Sequence, residues 1–252
     1  MFSLEHRVAL VTGAGQSVGA GIAKALAAQG AAVIVNGLRP DPLAAVVSEI
    51  IDSGGRATAS AFDVTDFESV AKHIRAAEEE FGHHVDILVN NAGVAHERVN
   101  LPFRSLRPDQ WPASIDLNIY GAMNCTKVVL DGMCDAGWGR VVQISSGSAR
   151  TGQNIGVSMY ATGKSGIEGF IRHLAAETGQ FGVTANILAL GHQKNLEDRM
   201  SQEALDAIIS TIPIGRLGEA AEVGAACVYL SSNESAGMTG QTIDFNGGSQ
   251  TR

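Results

Sequence analysis

Short apolar runs, typical of buried strands, alternate with longer stretches of helical periodicity along the whole chain. Seven such runs occur, at residues 8–11, 32–35, 57–62, 87–89, 141–144, 185–190 and 242–245. The connections between them are long enough for helical crossovers, which implies that neighbouring strands are parallel. Most of the runs are apolar throughout because a parallel sheet is covered by helices on both faces. The pattern predicts an α/β fold, with one doubly wound parallel sheet and helices on both of its faces.

The helical stretches carry recognisable ends. The first covers residues 18–29 and ends at Gly30, and Asp41-Pro42 predicts the cap and first residue of the second. Asp66 predicts the cap of a third helix, which reaches residue 81. Later helical stretches lie at residues 110–134, 160–181, 202–212 and 220–230. No linker or repeat divides them, so we expect residues 1–252 to form a single domain.

Composition excludes several classes of protein. Of the 252 residues, 45% are hydrophobic and 17% are charged, which excludes a disordered chain. The formal charge of -8 argues against a nucleic-acid partner, which would require a basic face. Cys125, Cys134 and Cys227 fit neither a disulfide framework nor a zinc site, so we expect them to be core residues and expect no metal. Without a signal peptide or a membrane span, the expected location is the cytoplasm.

A glycine-rich turn follows the first strand and leads into the first helix. Residues 12–19 read Thr-Gly-Ala-Gly-Gln-Ser-Val-Gly. Glycines allow the backbone to approach a pyrophosphate, and the helix N-terminus offers N–H groups and the positive end of the helix dipole. A glycine turn also joins many strands to helices for steric reasons alone. Its place in the first βα unit favours a dinucleotide site.

Polar residues also follow the third and fourth strands. Asp63 is a candidate acceptor for an adenine amino group, and its alternative role is to cap the entry to the next helix. Asn90-Asn91-Ala92-Gly93 ends the fourth strand at the carboxyl edge of the sheet, where ligands bind in such folds. The same residue types form ordinary turns, so neither motif identifies a site alone.

Tyr160 and Lys164 lie four residues apart and share one face of a helix. Tyrosine has an ordinary pKa of about 10, which a nearby cation lowers by stabilising the phenolate. Such a pair can exchange a proton with a carbonyl or an alcohol. Ser145-Ser146, at the end of the fifth strand, offers hydroxyls to a substrate oxygen. Each feature is common when taken alone, so a functional site is indicated only because all of them occur together in this order along the chain.

That order resembles the short-chain dehydrogenase/reductase family, in particular its branch of 3-oxoacyl-acyl-carrier-protein-reductase-like proteins. The resemblance runs from about residue 5 to residue 250 and includes residues 116–121, 214–218, 239–241 and 246–248. It implies a single-domain Rossmann fold that binds NADP or NAD. It also implies transfer of a hydride between nicotinamide C4 and a carbonyl or secondary alcohol.

The resemblance assigns roles to individual residues. Tyr160 is the implied acid/base, Lys164 lowers its pKa and contacts the nicotinamide ribose, and Asn118 holds a water beside Lys164. Ser146 is the implied hydroxyl that orients the substrate oxygen, but its spacing to Tyr160 is one residue longer than usual, so Ser145 and Ser148 stay open. The implied cofactor-binding residues are Gly13, Gly15, Gln16, Ser17, Val18, Gly19, Asn36, Gly37, Leu38, Arg39, Asp63, Val64, Asn90, Ala92, Gly93, Tyr160, Lys164, Gly191 and Asn195.

Three residues depart from the family pattern. Ser17 replaces the middle glycine of the first loop, and Leu190 replaces the proline that precedes Gly191. Asn195 replaces a threonine that often contacts the nicotinamide carboxamide. We expect residues 190–213 to form a substrate lid, and the last two departures affect its geometry rather than the reaction.

The residues after the second strand bear on the choice of cofactor. An NAD enzyme usually places an acidic residue there to bind the ribose diol. Gly37 fills that position, and Asn36 and Arg39 are donors for a 2′-phosphate, which favours NADP unless Arg39 points to solvent. Asp41 follows, but it is better explained as a helix cap.

These inferences predict an NADP-preferring ketone reductase that acts on a small-molecule substrate. One alternative is an NAD-linked dehydrogenase of sugar or steroid alcohols. A second is a non-catalytic nucleotide-sensing Rossmann protein, which is disfavoured because all four catalytic positions are filled. The family implies a homotetramer, and surplus apolar residues on the helices at 110–134 and 160–181 favour it, unless they pack beneath the loop of residues 95–107.

Overall fold

A computed structural model describes residues 1–93 and 100–251, apart from the side chains of residues 198 and 199. The strands of this part of the chain are β1 (Val8–Val11), β2 (Ala32–Gly37), β3 (Arg56–Ala61), β4 (Ile87–Asn90), β5 (Gly139–Ser146), β6 (Val183–Leu190) and β7 (Thr242–Phe245). Its α-helices are α1 (Ser17–Ala28), α2 (Pro40–Asp52), α3 (Phe67–Phe81), α4 (Pro112–Ile115), α5 (Gly121–Asp135), α6 (Ser158–Thr178), α7 (Gln202–Ile209) and α8 (Ala220–Ser231). No described helix is long and apolar enough to cross a membrane.

The seven strands form one parallel sheet in the order β3-β2-β1-β4-β5-β6-β7. The chain starts in the middle at β1, extends outward to β3, and then crosses to build the other half from β4. This is the single-domain Rossmann architecture that the alternation predicts. Because the strand order reverses between β1 and β4, a crevice opens at the carboxyl ends of these two strands, where ligands bind in such sheets.

Helices cover both faces of the sheet, and β1 shows how its side chains divide between them. Ala9 and Val11 belong to a core shared with α1, α2 and α8. Val8 and Leu10 belong to the core on the opposite face, shared with α3, α5 and α6. All four residues are buried, which explains why the sequence shows an unbroken apolar run rather than an alternating one.

The helix ends test the capping predictions. Asp66 caps α3 as predicted, and its side chain accepts a hydrogen bond from Ser69 N at 3.1 Å. The prediction for α2 is wrong, because the helix begins at Pro40 and its cap position is Arg39. Asp41 therefore lies in the first turn, where a carboxylate interacts favourably with the helix dipole.

The long helix predicted at residues 110–134 is a composite. A short 3-10 turn precedes α4, and between α4 and α5 the residues Asp116–Tyr120 form a π-helical segment. A π segment inserts an extra residue into a turn, and such insertions occur frequently at functional sites. Asn118 lies in the middle of it.

Three other expectations need correction. The helix predicted at residues 160–181 ends at Thr178 and is followed by a 3-10 turn, and the one predicted at 202–212 ends at Ile209. Cys125 and Cys227 are buried core residues, but Cys134 is only half-buried because it lies in the last turn of α5.

Candidate active site

The turn between β1 and α1 is folded tightly enough to require glycine. Gly13 has a φ of +63°, in the left-handed region that favours glycine. A Cβ on Gly19 would collide with the Gly13 carbonyl oxygen and lie 2.6 Å from Asn91 Nδ2. Gln16 occupies the cap position of α1 without a side-chain cap, so the first N–H groups of the helix are left for a ligand or solvent. Gly15 and Val18 lie in the same turn. These are the properties of a phosphate cradle.

Ser17, at the start of α1, has a left-handed φ of +50°. A residue with a Cβ incurs a cost of roughly 1–2 kcal/mol in this region, and glycine does not. Ser17 therefore introduces local strain at a position where the family pattern has glycine. Strained backbone of this kind clusters at ligand sites.

Two polar side chains join this turn to the end of β4. Thr12 Oγ1 accepts hydrogen bonds from the backbone N–H groups of Asn91 and Ala92, at 3.0 and 3.1 Å. Asn91 Nδ2 donates to the carbonyl oxygens of Thr12 and Gly13, at 2.9 and 3.1 Å. Asn91 thus holds the shape of the turn. The sequence analysis did not place it among the site residues, because an Asn-Asn pair gives no sign of which side chain faces the turn.

Tyr160 and Lys164 face the same carboxyl edge from α6. Lys164 is 2% exposed, its Nζ donates to the Ile144 carbonyl oxygen at 2.8 Å, and Nζ lies 5.8 Å from the centre of the Tyr160 ring. Burial lowers the pKa of Lys164 to about 8, although the negative charge of Glu168 opposes this shift. The predicted proximity of the ammonium and the phenol is present.

Asn118 reaches the same point from the π segment. Its Nδ2 donates to the Ser114 carbonyl oxygen at 2.9 Å, and its Oδ1 is buried without a partner among the described residues. Gly93 separates it from the lysine: a Cβ there would collide with Lys164 Nζ and lie 2.8 Å from Asn118 Oδ1. A buried acceptor of this kind fits the predicted water between Asn118 and Lys164.

The hydroxyl groups of the three candidate serines form different hydrogen bonds. Ser145 is 2% exposed and donates to Glu168 Oε1 at 2.6 Å, while Ser148 donates to Gln153 Oε1 at 3.1 Å. Ser146 is half-buried at the end of β5, and its Oγ accepts from Ser148 N at 3.2 Å, a bond that does not use its own O–H hydrogen. This arrangement favours Ser146 as the donor to a substrate oxygen.

Comparison with known proteins agrees with this geometry. A family model described as enoyl-(acyl carrier protein) reductase matches residues 13–250. The acetoacetyl-CoA reductase of Cupriavidus necator is 36% identical over 247 residues, which cover 97% of this chain and 98% of that protein. The chain belongs to the short-chain dehydrogenase/reductase family. It is an oxidoreductase that acts on C=O and CH–OH groups.

Two solved structures place known cofactors on the same fold. A 3-oxoacyl-acyl-carrier-protein reductase from Brucella melitensis with bound NAD has a TM-score of 0.89 and 34% identity, covering 98% of this chain and 92% of that one. A gluconate 5-dehydrogenase from Burkholderia cenocepacia, in complex with NADP and tartrate, has a TM-score of 0.89 and 30% identity, covering 98% and 96%. These short-chain dehydrogenase/reductase structures leave the choice between the two dinucleotides open.

The residues after β2 only partly match their predicted roles in this short-chain dehydrogenase/reductase. Asn36 is 1% exposed and its Nδ2 donates to the Ser60 and Phe62 carbonyl oxygens, both at 3.1 Å. The prediction that Asn36 donates to a 2′-phosphate therefore loses its support, because its side chain joins β2 to β3. Leu38 and Arg39 are exposed, and a Cβ on Gly37 would meet Leu43 Cδ2 at 3.1 Å.

The residues after β3 lie beside this region. Asp63 Oδ1 accepts from Thr65 N at 2.9 Å and from Thr65 Oγ1 at 2.8 Å, which forms a turn just ahead of α3. The cap of α3, predicted as its alternative role, is supplied by Asp66. Val64 is buried and packs against Gly121, whose added Cβ would lie 2.7 Å from Val64 Cγ2. The adenine contact of Asp63 and Val64 stays a prediction.

Asn90 is turned away from the crevice. It is 1% exposed, and its Nδ2 donates to Thr126 Oγ1 at 3.2 Å and to the Ala122 carbonyl oxygen at 3.4 Å, both on α5. The side chain therefore holds β4 against α5. Its predicted place on the adenosine side has no support in this geometry.

The segment after β6 begins the predicted lid. Gly191 N donates to the Phe245 carbonyl oxygen at 3.0 Å, and a Cβ on Gly191 would lie 2.8 Å from Asn246 Cα, so this close approach requires glycine. Asn195 is half-buried in the 3-10 helix Lys194–Arg199. Gln193 forms a parallel bridge with Gly218, which fixes the start of the segment despite Leu190 in place of proline.

A cavity of about 270 Å³ opens beside Tyr160. Its walls include Ser114, Val157 and Met159, together with the Arg107–Asp109 ion pair, in which Arg107 Nη2 lies 2.8 Å from Asp109 Oδ2. Because Tyr160 contributes to the wall, this cavity is the candidate substrate site. Its mixed polar and apolar lining is typical of small-molecule sites.

One group of side chains elsewhere has the composition of a metal site, although no metal was predicted. His83, His84 and Asp86 bring candidate ligand atoms within 4.8 Å of one another just before β4, at the opposite edge of the sheet. The Asp86 carboxylate already accepts hydrogen bonds from Arg7 Nη1 and Val8 N, both at 2.8 Å. The positive charge of Arg7 opposes a cation there.

Proposed function

We propose that this protein is an NADP-preferring ketone reductase. The observation that carries the proposal is the convergence at one edge of the sheet of a buried ammonium (Lys164), a phenol on the same helix (Tyr160), and a buried amide oxygen that has no partner among the described residues (Asn118). Burying the Lys164 ammonium costs free energy and lowers its pKa to about 8, and a helix with only a structural role would gain nothing that offsets this cost. An acid/base site benefits from such a group, since pKa values matched to the reaction promote proton transfer.

In the proposed reaction, Ser146 and Tyr160 hydrogen-bond the substrate carbonyl oxygen. Tyr160 then protonates that oxygen as the carbonyl is reduced. The Lys164 ammonium lowers the pKa of the Tyr160 phenol, and Asn118 holds the water through which the lost proton is replaced. When bound, the dinucleotide supplies the hydride from nicotinamide C4, so the protein contributes position and protons.

The residues of the glycine turn fit a dinucleotide. Cβ atoms on Gly13, Gly15 and Gly19 would press on protein atoms around the turn, so glycine lets the backbone fold this tightly, and the uncapped start of α1 offers N–H groups to the phosphates. Gln16, Ser17 and Val18 would line the same turn. Asp63 and Val64 would lie against adenine, Ala92 and Gly93 beside the ribose next to nicotinamide, and Gly191 and Asn195 beside the carboxamide.

The preference for NADP rests on Gly37 and Arg39. No carboxylate occupies the position of Gly37, and Arg39 is an exposed cation at the start of α2. Asp41 is the nearest acidic residue in sequence, and it lies inside the first turn of α2. A guanidinium without a competing carboxylate favours a phosphorylated ribose.

A second candidate is an NAD-linked dehydrogenase of polar alcohols such as sugars. It is favoured by the size and lining of the cavity beside Tyr160, which is smaller than many ligand pockets and carries charged and hydroxyl groups. The chemistry is the same reaction run in the direction of oxidation. A nucleotide sensor without turnover is disfavoured, because the acid/base groups are assembled.

We further propose that residues 190–213 form the substrate lid, that the protein acts in the cytoplasm, and that it assembles as a homotetramer. The lid proposal rests on the position of this segment directly after β6, at the carboxyl edge. The location proposal rests on the sequence alone, and the assembly proposal rests on the family resemblance together with the apolar residues on the helices near residues 110–134 and 160–181.

The direct test is a screen of purified protein with both reduced dinucleotides and a panel of ketones, β-ketoacyl thioesters and keto sugars. Loss of the absorbance of the reduced nicotinamide reports turnover, and the same panel of alcohols with oxidised dinucleotides tests the reverse direction. We expect reduction of at least one carbonyl with NADPH faster than with NADH. Binding of dinucleotide without turnover on any compound would support the sensor instead.

A further inference from the structure

Glu168 is a buried carboxylate that the proposed reaction does not use. It lies one turn after Lys164 on α6 and is 5% exposed. Its Oε1 accepts the hydrogen bond from Ser145 Oγ at 2.6 Å. Burying a charge is costly unless it is paired and hydrogen-bonded, so the partners of this group are part of the explanation.

Two arginines supply the pairing. Glu168 Oε2 lies 3.7 Å from Arg172 Nη1 and 3.9 Å from Arg150 Nη1. Arg150 Nε in turn lies 3.1 Å from Asp244 Oδ1 on β7. The Arg150 side chain is 18% exposed, so the Arg150–Asp244 pair is largely removed from solvent. The Glu168 carboxylate therefore joins α6 to the segment after β5, and through Arg150 to β7.

The end of β5 is attached to α6 at two successive residues. Ile144 accepts the Lys164 ammonium on its carbonyl oxygen, and Ser145 donates its hydroxyl to Glu168. Just beyond Ser146, Ser165 Oγ donates to the Ala149 carbonyl oxygen at 2.9 Å. Ser146 lies between these attachments, so its position relative to α6 depends on them.

We propose that Glu168 is a positioning residue of the active site: it fixes the end of β5, and with it Ser146, against the helix that carries Tyr160 and Lys164, and it places a carboxylate one turn from the Lys164 ammonium. The part of the proposal that concerns turnover rests on the proposed function. The part that concerns the charge of Lys164 does not, since it can be measured without a substrate.

The charges around Lys164 predict the direction in which Glu168 shifts its pKa. Among the described residues, the ionisable groups around Lys164 are Tyr160 and Glu168 on its own helix, and Arg150, Arg172 and Asp244 lie behind Glu168. Burial lowers the pKa of Lys164, and the carboxylate of Glu168 raises it. Without that carboxylate, the ammonium would lose its proton at a lower pH, so a smaller fraction of Lys164 would carry the charge beside Tyr160 near neutral pH.

The first test measures Lys164 directly in ligand-free protein. The chain has few lysines, so the side chains can be labelled with ¹³C and followed by NMR during a pH titration, with Lys164→Arg to assign the signal. In Glu168→Gln, which keeps an acceptor for Ser145, we expect the Lys164 midpoint to fall by about one pH unit. Glu177→Gln removes an exposed carboxylate from the same helix and should leave the midpoint unchanged. Equal midpoints in the two variants would overturn the proposal.

The second test separates position from charge. Ser145→Ala removes the hydroxyl but keeps the Glu168 carboxylate, so the Lys164 midpoint should stay while kcat falls about tenfold, because small displacements of reacting groups are costly. Dinucleotide affinity and KM should stay within about twofold. Glu168→Asp, which keeps the charge, should restore the Lys164 midpoint but not kcat. Unchanged kcat in Ser145→Ala would overturn the positioning role. Should the wild type reduce no carbonyl, the proposed function fails, while the titration still decides the role of the charge.

Discussion

Gly37 is the residue on which the proposed preference for NADP depends. It ends β2 beside the crevice, without the left-handed φ that would require glycine, and its added Cβ would meet only Leu43, at 3.1 Å and beyond. Leu43 offers the end of a flexible side chain, so a larger residue fits with a small adjustment. The position is therefore open to a carboxylate, which would accept the ribose hydroxyls and repel a 2′-phosphate.

We predict that Gly37→Asp weakens NADP binding by about tenfold or more while leaving NAD binding unchanged or tighter, since one repelled charge is worth at least about 1.4 kcal/mol at such a site. Fluorescence titrations with both dinucleotides measure the effect. Gly179→Asp, an equivalent change at an exposed glycine with no atom within 4 Å of its added Cβ, is the control. A wild type that already binds NAD more tightly than NADP would contradict the premise.

The sequence did not predict the orientation of individual polar side chains. Asn36 and Asn90 were placed at the correct strand ends, but their amides join β2 to β3 and β4 to α5. In a parallel sheet covered on both faces, the sequence does not alternate between polar and apolar, so it does not show which way a polar residue points. Tyr160 and Lys164 were predictable because helical spacing alone puts them on one face.

The candidate active site is a junction of three elements: α6, the π segment and the loop after β4. Gly93 is the point of closest approach, between Lys164 Nζ and Asn118 Oδ1. The seven strands and most helix boundaries followed from apolar runs and caps. The π segment did not, because its hydrogen bonds leave no periodicity that distinguishes it from an α-helix.

We predict that Gly93→Ala reduces turnover by at least about 100-fold, because the added methyl must displace Lys164 or Asn118 from the geometry that proton transfer requires. Overpacking of this kind should also lower the free energy of unfolding by about 1–3 kcal/mol. Steady-state kinetics and urea unfolding measure the two effects. Gly179→Ala is the matched control, and turnover within twofold of wild type in Gly93→Ala would argue against the junction.

At the scale of the whole molecule, assembly depends on the outer surface of the helices around residues 111–135 and 158–178. Part of the predicted apolar surplus is covered within the chain. Val129 and Met133 of α5 and Ile167 of α6 are buried in the core, and Ile119 packs against Gly166 of α6. Trp111 stacks on Phe103 with ring centres 5.6 Å apart, but both rings stay exposed. Tyr120 is 55% exposed on this side. The remaining patch is the surface that a two-fold interface would bury.

We predict a homotetramer in solution at micromolar concentration. Light scattering coupled to size exclusion should give a mass about four times that of the 26.2 kDa chain. Placing a charge on this surface with Met123→Glu, which alters a half-buried residue of α5, should shift the particle toward smaller species. A wild-type particle with the mass of a single chain would refute the tetramer.

We propose that Tyr160 is the acid that completes carbonyl reduction, and Tyr160→Phe is the sharpest test of this role because it removes one hydroxyl. Turnover of a substrate accepted by the wild type should fall by about 10²–10⁴-fold, the usual contribution of general acid–base catalysis. Dinucleotide affinity should stay within a few-fold, since the phosphates bind at the glycine turn, and Tyr229→Phe, on α8, should behave as wild type. Activity of Tyr160→Phe above about a tenth of wild type would contradict the account.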